Sequence, residues 1–261
     1  AASQRRGRPV VRTTLDPRLQ ALAAERLRAH VAAGRPRGVR NAALLLLDAE
    51  TMEVRASVGS ADWSDPAIAG MVDGTRAKRS PGSALKPFVY ALAFDQGLAH
   101  PATVLKDAPT SFGGYDPENF ERDFIGPVTA REALARSRNV PAVALAARLK
   151  EPDLRGFLAR AGVSELAPAG HYGLSLVLGG GEVTMEELAG LYAALANGGL
   201  GRPLRVFADA PTPPGERLLS PEASHIVLDV LAGAPRPDAG WRREWVREAV
   251  PVAWKTGTSY G

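Results

Sequence analysis

The chain has no cysteine among its 261 residues. A disulfide scaffold, a thiol nucleophile and a thiolate metal site are thereby excluded. That absence fits an oxidising compartment as well as a reducing one. Histidine is scarce: His30, His100, His171 and His225 stand at no ligand spacing, so no metal centre is expected. No apolar run approaches the ~20 residues of a membrane span. The opening "AASQRRGRPV" lacks the apolar core of a signal peptide. Any membrane attachment is therefore expected in segments outside this chain. Neither sign of charge dominates, with 32 basic and 28 acidic residues and a formal net charge of +4. There is no basic stripe and no recognised nucleic-acid motif, which argues against a nucleic-acid partner. Two small basic clusters remain, Arg5, Arg6 and Arg8, then Arg76, Lys78 and Arg79. The second reads as solvated loop charge or as an electropositive rim beside a site.

What is present is ample apolar material, 45% of the residues, enough for a sizeable core. Asp16-Pro17 has the form of an N-cap followed by proline at the first helical position. Leu19, Leu22, Ala23, Leu27, His30 and Val31 then share one helical face up to Gly34. Residues 42–60 read as two strands joined by a short turn. The continuous Leu44–Leu47 run suggests a first strand covered on both faces. A helix is expected over 84–96, with Pro87 tolerated only in its first turn. Residues 107–128 lack a period and read as a long loop of the functional kind. Two capping boxes, Thr129 to Glu132 and Thr184 to Glu187, open further helices. A short helix is expected over 152–161, and Ser220-Pro221 opens another through Leu231. The end, "VPVAWKTGTSYG", reads as a strand. The fold class is α+β, an antiparallel sheet with a large helical subdomain. The parts are an opening helix and strand pair over 1–75, a mainly helical stretch over 76–240 and a strand over 241–261.

Three short motifs carry chemistry. In "KRSPGSALKPF", Ser83 and Lys86 stand three apart at a helix start, where side chains share a face. A lysine there can take the seryl proton if burial or a second cation lowers its pKa. Alone, the pair reads equally as a helix cap. Ser137-Arg138-Asn139 sits where two helical stretches meet, with Pro141 close behind. Its hydroxyl can relay a proton and its amide can bind a peptide, although such a triplet is also a common turn. Lys255-Thr256-Gly257-Thr258 sets a cation and two hydroxyls around a glycine that admits close approach. Strand alternation would place Lys255 on the side opposite Thr256 and Thr258, so its amine would have to curl round the rim. All three in this order arise by chance on the order of once in a thousand or less.

Together they resemble the signature of penicillin-binding proteins and serine β-lactamases. The likeness covers most of the chain, through "TTLDPRLQALA", "LLLLDAETMEVRASVGS", "RSPGSALKPFVYALAFDQG", "YDPENFERDFIGPVTAREALARSRNVPAVALA" and "GLSLVLGGGEVTMEELAGLYAALANGG". It is similar to the transpeptidase domain of class A penicillin-binding proteins. The nucleophile and KTGTSYG segments look most like the 1C subgroup. The resemblance implies a serine acyltransferase of peptidoglycan synthesis acting outside the cytoplasmic membrane on stem peptides, with β-lactams as substrate mimics. Cell-wall synthesis proteins are possible partners, and no cofactor or metal is needed. Ser83 would be the nucleophile, Lys86 its base, Ser137 the proton relay and Asn139 a substrate ligand. Lys255 would raise the potential near Ser137. Thr256 and Thr258 would hold the terminal carboxylate, with Gly257 letting the substrate come close. The backbone N–H groups of Ser83 and Thr258 would form the oxyanion hole. The motifs do not separate transpeptidase from carboxypeptidase or β-lactamase, nor from an acylatable sensor or scaffold. In the family two more strands and a helix follow the KTG segment. The chain is thus expected to be a partial domain that does not fold stably alone.

Overall fold

The computed structural model describes residues 10–168, 170–212, 214–235 and 251–259. The chain divides into two compact units, one of Ala1–Ala77 with Arg202–Pro214, the other of Lys78–Gly201 with Gly215–Gly261.

In the first unit α1 spans Pro17–Gly34, and the Asp16 carboxylate accepts from the N–H groups of Arg18 and Leu19 at 2.8 and 3.1 Å. Ala23, Leu27 and Val31 are buried, and the helix lies on β2. Leu22, expected on the same face, is instead exposed. Strand β1 (Leu44–Leu47) pairs antiparallel with β2 (Val54–Val58), with an irregularity between Leu46 and Leu47. Val54 and Ala56 are buried while Arg55 and Ser57 are not, the alternation of a half-covered strand. β1 is not covered on both faces. Leu46 is 40% exposed in a sheet that has only β2 beside β1 among the described residues.

The second unit is mostly helical. A 3-10 turn over Gly82–Leu85 leads into α2 (Lys86–Asp95), in which every residue from Lys86 to Ala93 is buried. Pro87 falls in the first turn, where no intrahelical N–H is lost. Around α2 pack α3 (Ala130–Ala135), α4 (Asn139–Ala146), α5 (Leu154–Arg160) and α7 (Pro221–Ala232). Helix α6 (Met185–Ala196) packs on α7. Phe88 of α2 stacks on Phe157 at 5.5 Å and meets Tyr192 edge-on at 5.3 Å. Both capping boxes form as expected, at Thr129–Glu132 and Thr184–Glu187. The loop expected over 107–128 is bounded by a strand pair. β3 (Val104–Asp107) runs antiparallel to β4 (Gly126–Thr129), with Pro127 opposite Lys106. A two-residue pair, β5 (Leu200–Gly201) and β6 (Glu216–Arg217), follows α6.

The strand expected over 241–261 is corrected. Residues 241–250 and 260–261 lie outside the described residues, and 251–259 form neither strand nor helix. A strand exists only through a ladder, and no described strand pairs with this segment. It is attached through its side chains and by Trp254, whose indole N–H donates to Ala234 O at 3.2 Å.

Glu187 fastens the approach to the Ser83 turn. Its carboxylate accepts from the Thr184 N–H at 2.8 Å, the Ser164 N–H at 2.8 Å, the Ser164 hydroxyl at 2.6 Å and Lys78 Nζ at 2.9 Å. Lys78 is thus a structural ion-pair partner rather than a free rim charge. Burial alone would raise the Glu187 pKa, but Ser164, Thr184 and Lys78 together hold it at about 2. A carboxyl depressed in the folded state contributes stability above its unfolded pKa, and that stability fades as pH falls from about 4.5 toward 2. Glu187→Gln should destabilise the fold by about 1–3 kcal/mol at neutral pH. The loss should shrink on acidification over that window, as read from thermal midpoints.

Candidate active site

The segment that bears Ser83 is fixed from both sides within the second unit. Arg79 and Val183 exchange backbone hydrogen bonds at 3.0 Å, and Ser80 Oγ donates to Gly179 O at 2.8 Å. Gly82 then adopts a φ of +52°, and a Cβ there would lie 2.3 Å from Thr258 O. Glycine is required on both counts. Facing it, a Cβ at Gly257 would lie 2.2 Å from Pro81 O. The two glycines let the 257–258 peptide lie directly against the start of the turn that bears Ser83.

Ser83 sits in the 3-10 turn rather than in an α-helix, and is partly buried. Three residues per turn eclipse positions i and i+3, which directs Ser83 and Lys86 to one side. The Ser83 hydroxyl has no hydrogen-bond partner among the described residues. Its backbone N–H and that of Thr258 also donate to no acceptor among them.

Lys86 is fully buried. Its Nζ donates to Ser137 O at 2.5 Å and to Asn139 Oδ1 at 2.5 Å, and stands 3.4 Å from Ser137 Oγ. Burial pushes its pKa well below the usual lysine value. Lys255 and Arg138 push the same way, against Glu121 and Asp107. This is the direction that lets an amine act as a base near neutrality.

Ser137 owes its position to the end of α3. Arg136 caps that helix, Ser137 N donates to Leu134 O and Arg138 N to Ala133 O, each at 2.9 Å. This is a Schellman closure, which requires a left-handed residue just past the cap, most often glycine. Here the residue is Ser137, with a φ of +58°. Its hydroxyl stands between two amines, since Lys255 Nζ donates to Ser137 Oγ at 2.7 Å. Lys255 also donates to Thr256 O at 2.7 Å, and burial lowers its pKa to about 8. The segment is not pleated, so the alternation that set Lys255 on the wrong side does not operate.

Asn139 is buried at the first turn of α4. Its Oδ1 accepts from Lys86 and its Nδ2 donates to Glu118 O at 2.5 Å. One Nδ2–H is left for a substrate, so the amide is mainly a holder of Lys86. Thr256, Gly257 and Thr258 are exposed. Ser137, Asn139, Lys86 and Lys255 are thus joined by hydrogen bonds, while Ser83 and the 256–258 stretch border them. Sequence reasoning missed Asp107, Asn119 and the engaged state of Arg138. Their only signal was the long loop over 107–128, which contains Asn119.

The chain matches the family model of the penicillin binding protein transpeptidase domain over residues 42–260. It belongs to that family. It is 42% identical over 223 residues to penicillin-binding protein 1C of Escherichia coli (strain K12), covering 84% of this chain and 28% of that protein. It is 37% identical over 166 residues to penicillin-binding protein 1A of Neisseria gonorrhoeae, covering 60% of this chain and 20% of that protein. The chain therefore spans about a quarter of the length of these relatives. Among solved structures, the PonA1 protein of Mycobacterium tuberculosis in complex with penicillin V superposes with a TM-score of 0.68 at 23% identity. The match covers 85% of this chain and 62% of that one, and places both in one fold. No helix among the described residues is long and apolar enough to cross a membrane.

Proposed function

We propose that this domain cross-links peptidoglycan stem peptides through an acyl-enzyme on Ser83, and that β-lactams acylate the same serine. The observation that carries the reading is the pair of amines around Ser137, one of them on the fully buried Lys86, beside the turn that bears Ser83. Neutral Lys86 takes the Ser83 proton as Oγ attacks the carbonyl carbon between two terminal D-alanines. Rotation of the serine side chain toward Nζ is the movement this step needs. The oxyanion is received by the N–H groups of Ser83 and Thr258. As the tetrahedral intermediate collapses, Ser137, fed by the lysines, protonates the departing D-alanine nitrogen. An amine of a second stem then attacks the ester, loses its proton by the same route, and Ser83 is restored. Thr256 and Thr258 hydroxyls hold the terminal carboxylate. The reaction runs outside the cytoplasmic membrane.

Mass spectrometry of the penicillin-treated full-length protein should place the adduct on the peptide containing Ser83. An adduct elsewhere would remove the reading. Incubation with a stem pentapeptide and an amine acceptor should yield the cross-linked amide. Release of free tetrapeptide alone would reassign the domain as a carboxypeptidase, and label without turnover as a sensor.

The two lysines also set a pH profile. Acylation needs Lys86 neutral, so the rate rises with pH through the Lys86 ionisation. It needs Lys255 charged, so the rate falls as pH passes about 8. Lys255→Arg keeps a charge that does not titrate in this range, so the fall near pH 8 should vanish even if the maximal rate drops. A retained alkaline limb would show that another group controls it.

A further inference from the structure

We propose that Arg138, Asp107 and Asn119 are positioning residues that hold the turn at 137–139 so that it presents Ser137 O and Asn139 Oδ1 to Lys86. This rests on the acyl-enzyme reading above and assigns work to the middle residue of the Ser-Arg-Asn triplet, to which the sequence analysis gave no role.

Arg138 is an odd residue to bury, yet its side chain is only 6% exposed. It precedes α4 and makes no capping bond there. Its guanidinium instead donates to three oxygens: Nε to Asp107 Oδ2 at 2.7 Å, Nη1 to Asp123 Oδ1 at 2.9 Å and Nη2 to Asp123 O at 2.7 Å. Glu121 lies 3.6 Å from Nη1. Asp107, at the end of β3, has no exposed surface, and both of its oxygens are used. Oδ1 accepts from Asn119 Nδ2 at 2.8 Å, and Oδ2 also accepts from the Ile125 N–H at 3.2 Å. Asn119 Oδ1 then accepts the Asn139 N–H at 2.8 Å. That N–H belongs to the first turn of α4, where no helical partner exists. The chain of contacts runs from β3 through Asn119 to the main chain of Asn139, whose side chain holds Lys86. A second branch runs through Arg138 itself, one bond from Ser137. A planar fork is suited to this task, since one lysine amine cannot hold Asp107 and both Asp123 oxygens in fixed directions.

A buried ion pair that only stabilised the fold would leave the chemistry of Lys86 alone. This one does not, because Arg138 and Asp107 act on Lys86 in opposite senses, as do Lys255 and Glu121. Removing Arg138 takes away a cation and leaves Asp107 unneutralised. Both changes make Lys86 harder to deprotonate.

The test measures acylation of Ser83 by fluorescent penicillin across pH in the full-length protein, with the adduct first mapped in the wild type. Arg138→Met should slow acylation at neutral pH by at least ~10-fold and move the acid limb up by roughly half a pH unit or more. Arg138→Lys should restore the limb but only part of the rate. If circular dichroism shows Arg138→Met unfolded, the paired change Arg138→Met with Asp107→Asn removes both buried charges. It should keep the rate loss while the limb returns toward wild type. Wild-type rate and an unmoved limb in whichever folded variant is read overturn the proposal while leaving Ser83 as the nucleophile. A wild-type adduct away from Ser83 would sink both.

Discussion

Full-length protein carrying Ser83→Ala should take up no covalent label from fluorescent penicillin, and Lys86→Met should take it up at least ~10²-fold more slowly than wild type. The two differ in kind. On the proposed mechanism, no acceptor of the acyl group would remain without the serine. Without the amine the hydroxyl persists at its ordinary reactivity, and the helix start and free N–H groups still favour the oxyanion. Methionine keeps roughly the volume and apolar stem of lysine, so the helix around it should stay packed. It does leave Ser137 O and Asn139 Oδ1 without their donor. The same substitution has a thermodynamic signature. The Lys86 pKa is depressed in the folded protein, so between that value and about 10.4 the unfolded chain binds more protons. Wild-type stability therefore gains with rising pH, by at most about 1.4 kcal/mol per unit, and the Lys86→Met protein lacks this gain. The readout is the unfolding transition that penicillin acylation shifts, followed at several pH values in both proteins. Equal pH slopes would show that Lys86 is not held neutral by the fold. Labelling of Ser83→Ala at the wild-type rate would show that the nucleophile is another residue.

The parts of this fold that were legible in the sequence are those whose cause is local. Asp16-Pro17, Thr129 to Glu132, Thr184 to Glu187 and Ser220-Pro221 each start a helix where the capping chemistry says it should. The hairpin at 44–58 follows from alternation and a short turn. The illegible parts depend on what lies across from them. Gly126 and Pro127 look like loop residues, yet a short edge ladder to Val104–Asp107 tolerates both. The KTG stretch looks like a strand, but no described strand offers it a ladder. Leu46 looks like core, yet it stays 40% exposed among the described residues. In the site, residue types and order were readable, and the 3-10 turn at Ser83 changed only how Ser83 and Lys86 come to share a side. The positioning shell was not readable, because the Arg138–Asp107 bond joins residues 31 apart, with Asn119 and Asp123 between them. Asn139 shows the same limit. Its amide suggested a substrate ligand, and the fold commits most of it to Lys86 and Glu118.

Ser137 supports a prediction that reverses a usual rule. Ordinarily alanine is more stabilising than glycine, because glycine has more backbone freedom to lose. At a φ of +58° the order should invert. A Cβ in the left-handed region costs roughly 1–2 kcal/mol, and the Schellman closure of α3 holds residue 137 there whatever its side chain. Ser137→Gly loses the bond from Lys255 but sheds that strain, and should end within about 1 kcal/mol of wild type. Ser137→Ala loses the same bond and keeps the strain, so it should be less stable than Ser137→Gly by about 1 kcal/mol. Both should lose at least ~10²-fold in acylation, since neither retains a hydroxyl between the two amines. A stable but inactive Ser137→Gly protein would separate chemistry from folding at this position. It would also explain the choice of residue. Glycine suits the backbone, serine suits the proton path, and the fold keeps the strained residue because the helix end and Arg138 hold the turn around it. The decisive measurement is the pair of thermal midpoints beside the pair of labelling rates. A Ser137→Ala protein as stable as Ser137→Gly would show that the turn relaxes when the hydroxyl is removed, and a labelling rate preserved in either would remove Ser137 from the proton path.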